Sequence, residues 1–134
     1  MSRYTPRIEK ILSHKNCICI LSSVGPTNIP NSALFGAVKI VDEEILIAMG
    51  DNRTYANLLV NPHAALMLII PADSAVFYRG LRLDLHLIGI AEESETFATF
   101  VAEVSQRVGK TAAASIRRIV RFALGNVRPL AGYL

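Results

Sequence analysis

Several familiar signals are missing from this 134-residue chain, and each absence removes a class of protein. No stretch approaches the ~18–20 uncharged apolar residues of a membrane-spanning helix, so no membrane partner is expected. The opening segment, MSRYTPRIEKILSHK, places no apolar run after its charges and does not read as a signal peptide. There are two cysteines only, Cys17 and Cys19, on one face of a predicted strand, where neighbours two apart do not easily reach disulfide geometry. They read as small core residues in a reducing cytoplasm. The three histidines, His14, His63 and His86, are scattered without metal-ligand spacing, so no metal is expected. Ser22 and Ser23 have no supporting His–acid pair and no nucleophile-elbow motif, and VGPTNIP is too poor in glycine for a phosphate loop. No side chain stands out as a catalytic acid, base or nucleophile.

Acidic residues are also missing from the last 31 positions. None follows Glu103, while Arg107, Lys110, Arg117, Arg118, Arg121 and Arg128 do. Such a tail suits an anionic cofactor or an acidic surface. Its strand-like apolar interleaving, without an aromatic stacking motif, argues against nucleic acid. What is present is a 51% apolar composition, enough for one buried core at this length without staples.

The apolar patterning divides the chain into short elements with no repeats or linkers. Thr5-Pro6 opens a helix, with Thr5 as N-cap and Ile8, Ile11 and Leu12 as its apolar stripe. CICILSSV (17–24) reads as a strand, GPTN (25–28) as a turn, and 29–41 as a second strand bent near Gly36. A third strand, ILIAM (45–49), follows the turn at 42–44 and completes an expected antiparallel meander. A helix over about 53–60 ends at Asn61-Pro62. AALMLII (64–70) has the unbroken apolar run of a fully buried strand. The next strand alternates cleanly, with Leu81, Leu83, Leu85 and Leu87 against Arg82, Asp84 and His86. Ser94 caps a helix striped by Phe97, Phe100, Val101, Val104 and Val108, and Gly109 ends it. A last strand occupies about 116–128. The expectation is a mainly β chain, a small antiparallel barrel of about six to seven strands with three helices.

One position contradicts simple electrostatics. Arg53 sits at the start of the helix at 53–60, where the helix dipole already carries partial positive charge. With Asp51 or Asn52 as N-cap, the N–H groups of Arg53, Thr54 and Tyr55 are among the helix's orphan donors. Together with the Thr54 hydroxyl and the Arg53 guanidinium they can converge on one phosphate, and Gly50 lets the backbone come close. The competing reading pairs Arg53 with Asp51 and leaves Thr54 to pack. Spacing alone leaves both open.

The run SSVGPTNIPNSA, a meander, and then IAMGDNRTYANLLVNPHAALMLI resembles the FMN-binding split β-barrel superfamily, which includes the pyridoxamine-phosphate oxidases. The likeness is specific over 5–92 and extends to the C-terminal helix and strand in order and length. It implies an antiparallel, Greek-key-like split barrel, one FMN-binding domain over 1–134. It implies phosphate binding at Arg53 and Thr54, with Asn57 one turn on and Asn52 beside them among the cofactor-binding residues. It places Ala48, Met49, Gly50 and Asp51 along the ribityl chain and ring, and Asn31, Ser32 and Ala33 along the isoalloxazine. It also implies a homodimer with flavin at the subunit interface. Arg118 is then of interest. If it shares a strand face with Ile116, Val120, Phe122 and Leu124 it points inward and needs an anionic partner; if the strand is bulged it is solvated.

The chain departs from the true oxidases. NSALFG lacks the basic residue and Lys of their second strand, and VRPLAGYL lacks their terminal Arg–His motif, which argues against oxidation of pyridoxamine phosphate. The expected function is that of a cytoplasmic FMN flavoprotein in electron transfer or substrate oxidoreduction. The alternatives are a deazaflavin-dependent reductase of the same fold, using a wider basic groove, or a non-catalytic flavin-binding or storage module.

Overall fold

A strand broken in the middle organises this fold. In the computed structural model, which describes residues 3–131, the apolar segment 29–41 divides into β2 (Pro30–Leu34) and β3 (Val38–Val41). β2 pairs antiparallel with β1 (Ile18–Val24), and β3 pairs antiparallel with β4 (Glu44–Met49). The intervening residues hold on to both sides. Phe35 N–H donates to Cys19 O at 2.9 Å, and Ala48 N–H donates to Ala37 O at 3.0 Å. The remaining strands, β5 (His63–Ile70), β6 (Arg79–Ala91) and β7 (Arg118–Pro129), lie between β1 and β4, giving the order β2-β1-β5-β6-β7-β4-β3. The two ends of that order are consecutive in the chain, so the sheet curls into a split barrel. The meander expected over 17–49 is present across a middle strand broken at Gly36: its first half pairs with β1 and its second with β4, while β5–β7 close the sheet between β1 and β4.

Two-residue turn chemistry sets the β3–β4 hairpin. Asp42 and Glu43 both take positive φ (50° and 68°), the handedness that matches strand twist in a tight hairpin. Asn28 at φ 59° does the same in the turn at 25–28.

Two apolar layers form. The barrel interior holds Leu21, Ile45, Ile47, Leu66, Leu83 and Phe122, with α1 (Thr5–Leu12) closing one side through Ile8 and Ile11. The outer layer packs α3 (Glu95–Val108) and the short α4 (Lys110–Ala114), through Phe100, Val104 and Ala113, onto Leu46, Ala48 and Ile119. β4 is therefore buried on both faces. That corrects the reading of β5, whose His63 and Ala65 are exposed and which is buried throughout only from Leu68 to Ile70, since no helix covers the outer face of its first half. α4 is a fourth helix beyond the three expected. The alternation in β6 is as read, with Leu81, Leu83 and Leu85 inside. Ser94 caps α3, its Oγ accepting from Phe97 N–H at 3.2 Å. The N-cap of α1 is Tyr4, with Thr5 inside the helix, so the expected Thr5 cap is corrected.

Candidate functional site

The site is built where β4 runs out into α2 (Arg53–Val60). Asn52 is the N-cap: its backbone is extended, and its Oδ1 accepts from Tyr55 N–H at 2.8 Å. That bond removes Tyr55 N–H from the donors available to a ligand. The N–H groups of Arg53 and Thr54 remain among the helix's first donors, which have no acceptor inside the helix. Arg53 is exposed, and among the described residues it has no ion-pair partner.

Asp51 does not neutralise Arg53, because Arg118 takes it. The Arg118 guanidinium donates to Asp51 Oδ1 at 2.7 Å and to Gly50 O at 2.8 Å, and its Cζ lies 3.8 Å from the Tyr55 ring centroid. Arg118 is only 9% exposed, so it points inward, and the anionic partner such a residue needs is Asp51. Val120 and Phe122 continue its face into the barrel, whereas Ile116 lies ahead of the strand in the outer layer. Gly50 is required here by close approach: a Cβ on it would sit 2.8 Å from Ser115 O.

The other residues named from sequence fall into two groups. Asn31, on β2, is brought to the helix start, its Nδ2 donating to Thr54 Oγ1 at 3.2 Å. Thr54 is buried, so its hydroxyl ties strand to helix. Asn57, also buried, donates Nδ2 to Ser23 Oγ at 3.2 Å and anchors α2 on the end of β1. Ser32 shares a 2.8 Å hydroxyl contact with Ser22, and Ala33 is half-buried beside it. Ala48 and Met49 do not join this surface. Both are buried, Ala48 against the outer layer and Met49 in the barrel interior.

Residue-by-residue reading of the sequence missed Ser23 and Tyr55. Ser23 sits on the buried side of β1 at strand periodicity, and that alternation was its only local signal. Nothing local marks Tyr55 as the partner of an arginine 63 positions away.

The basic tail is largely spent on internal partners. Arg121 forms a bidentate pair with Glu44 (2.8 and 2.9 Å), which holds the Glu44 carboxyl below its ordinary range. Arg128 bonds Asp84 at 2.9 Å, while Arg107 and Arg117 donate to backbone carbonyls. Cys17 and Cys19 are free thiols with sulfurs 4.0 Å apart; burial raises both, and pushes Cys19 up to about 12. Among the described residues no cluster of three or more His, Cys, Asp or Glu is placed to hold a metal, and no helix is long and apolar enough to cross a membrane.

The seven-stranded split barrel with peripheral helices, with an arginine-started helix following β4, defines the class. The family model for pyridoxamine 5'-phosphate oxidase matches residues 4–134, and the chain belongs to that family, within the FMN-binding split-barrel superfamily. Among solved structures it is similar to an FMN-binding protein of Syntrophomonas wolfei subsp. wolfei, with TM-score 0.80 and 20% identity over 95% of this chain and 86% of that one. It is also similar to HutZ, the heme storage protein of Vibrio cholerae (TM-score 0.70, 19% identity, 94% of each chain). An F420 reductase aligns with TM-score 0.67 and 18% identity over 95% of this chain and 97% of that one. No curated protein matches the sequence.

Proposed function

We propose that this chain is a single FMN-binding domain that works as a cytoplasmic homodimer, with the flavin phosphate at the start of α2. The observation that carries the reading is Arg53, without an ion-pair partner among the described residues, at a helix N-terminus whose neighbouring carboxylate is already neutralised. With Arg118 on Asp51 at 2.7 Å, a phosphate approaching Arg53 and the N–H groups of Arg53 and Thr54 meets little net repulsion. Asn31, bonded to Thr54, brings β2 alongside, where the ring of the cofactor would lie next to Ser32 and Ala33. Exposed Ile29 and Leu34, at 63% and 72%, flank that strip and suit coverage by a second subunit.

When bound, FMN supplies one- and two-electron redox chemistry. The chain's own residues bind and orient it; none of them is assigned as an acid or base, which favours electron transfer or reduction of a substrate stacked over the ring. The deazaflavin alternative called for a wide basic groove, and the pairing of Arg118, Arg121 and Arg128 with carboxylates removes most of that groove. Without the basic second-strand residues of the oxidases, pyridoxamine phosphate is not assigned as substrate.

The test is a titration of the purified protein with FMN, riboflavin and the deazaflavin, followed by flavin fluorescence and absorbance. FMN should bind, riboflavin should bind far more weakly for want of the phosphate, and Arg53→Ala should weaken FMN by roughly ten- to a hundredfold, the size of a charge-assisted contact. Equal affinity for FMN and riboflavin, or an unchanged Arg53→Ala variant, would overturn the assignment. A monomeric mass by light scattering with FMN bound would overturn the dimer.

A further inference from the structure

At the other end of the barrel, two cavities adjoin. One of about 410 Å³ lies over the 3₁₀ turn at Ala75–Phe77 and the end of β7, and one of about 250 Å³ runs between α1 and the start of β6. They share Arg7, Arg79 and Gly80, so they form one groove. β7 leaves Arg118 at the site described above and reaches Pro129 only at this end. At ~3.3 Å per residue, that is up to about 36 Å of strand. Leu130 N–H donates to Gly80 O at 3.2 Å, which ties the two walls together.

The groove has an apolar wall and a cationic rim. Val76 and Phe77 stand 48% and 69% exposed at its mouth, and Ile11, Ile70 and Leu130 line it further in. Arg7 and Lys10, three apart on α1 and so on one face, look across to Arg79. Among the described residues these three cations have no ion-pair partner, and no carboxylate lines either cavity. Arg118, Arg121 and Arg128, by contrast, each have one. Exposed aromatic and aliphatic surface beside uncompensated positive charge is complementary to a molecule that is apolar at one end and anionic at the other. Cavities of this size take small molecules.

We propose that this groove is a second ligand site, separate from the one at Arg53, for a small amphipathic anion. Its occupant has an acyl or aromatic body against Val76, Phe77 and Leu130, and one carboxylate or phosphate group among Arg7, Lys10 and Arg79. A charged headgroup set in a membrane would share that chemistry, and the free ligand is the source favoured by a recess that runs in between α1 and the start of β6.

Octanoate serves as probe, 1-octanol as its uncharged counterpart, with the intact protein followed by amide NMR shifts. Octanoate should give saturable shifts centred on Val76–Arg79 and Leu130, and 1-octanol should bind at least about tenfold more weakly. The double variant Arg7→Gln/Arg79→Gln changes two exposed side chains without ion pairs, so it should fold, with an unchanged melting temperature as the check. It should weaken octanoate about tenfold or more and leave the FMN titration unchanged. Equal binding of octanol, an unaffected double variant, or no saturable shift would each overturn the proposal. Binding to phosphatidylglycerol vesicles without any response to octanoate would overturn it in favour of a membrane surface. A loss of FMN affinity in the double variant would overturn the separateness of the two sites, whereas failure of the wild-type protein to bind FMN leaves the octanoate result independent.

Discussion

Arg118→Met is the perturbation with the most to say about how the site is held. The substitution keeps an unbranched apolar stem on the barrel face and deletes four contacts: the bond to Gly50 O, the ion pair with Asp51, a longer one with the exposed Glu92, and the stack on Tyr55. Their sizes differ. Asp51 is 75% exposed, so its pairing is screened and contributes only about 0.5 kcal/mol. The part-buried Gly50 carbonyl loses its side-chain donor, at roughly 1 kcal/mol, and the cation–π contact adds about 1 kcal/mol. Against these, the buried Arg118 Nε has no hydrogen-bond partner, with Glu92 Oε1 3.8 Å away, and its removal recovers part of a desolvation cost. The net is a destabilisation of about 2 kcal/mol. At ~2.1 cal/mol/K of unfolding entropy per residue, that lowers the melting temperature of a 134-residue chain by about 7 °C. Urea denaturation monitored by circular dichroism measures it, with an unchanged m-value certifying that only stability moved. Arg118→Lys, which keeps the charge but not the planar fork, should recover less than half. A loss below about 0.5 kcal/mol for Arg118→Met would refute the claim that this arginine holds the Gly50–Asp51 turn.

Three further outcomes follow from the same geometry. Asn52→Ala removes the α2 cap and should cost about 1 kcal/mol in urea denaturation, while Asn52→Asp, which can still accept from Tyr55 N–H, should cost much less. With its thiol near 12, Cys19 has about one thiolate in 10⁴ at pH 8, so iodoacetamide followed by mass spectrometry should label it only after denaturation, with Cys17 modified first in the native protein. Glu44 titrates below its ordinary range because of Arg121. Its pair therefore stabilises the fold above the unfolded carboxyl pKa of about 4.3, and that contribution is lost as pH falls through the lower folded value. Both side chains are partly exposed, so the effect is about 0.5 kcal/mol; urea midpoints of wild type and Glu44→Gln should differ at pH 7 and draw together as the pH falls below the ordinary carboxyl range.

The sequence by itself determined whatever is encoded by neighbours. Ser94 caps its helix through a bond three residues long, the α2 cap is narrowed to Asp51 or Asn52, Asn61-Pro62 stops α2, and the leucines of β6 face inward because alternate residues of a strand must. It also marked Arg53, since a cation at a helix start is conspicuous without any tertiary information. The bend of 29–41 near Gly36 was legible locally, but only the tertiary structure decided that its two halves pair with different strands, β1 on one side and β4 on the other. Only it assigned Asp51 to Arg118 in place of Arg53, across 67 positions, and Asn57 to Ser23, across 34. The burial of β4 on both faces needed the position of α3, and the groove at Arg7 and Arg79 needed α1 brought against the start of β6. The physical reason is common to all of these. Capping and periodicity are set by backbone geometry within a turn or a strand, whereas a side chain's partner across a sheet depends on register, and register is chosen by the packing of the whole barrel.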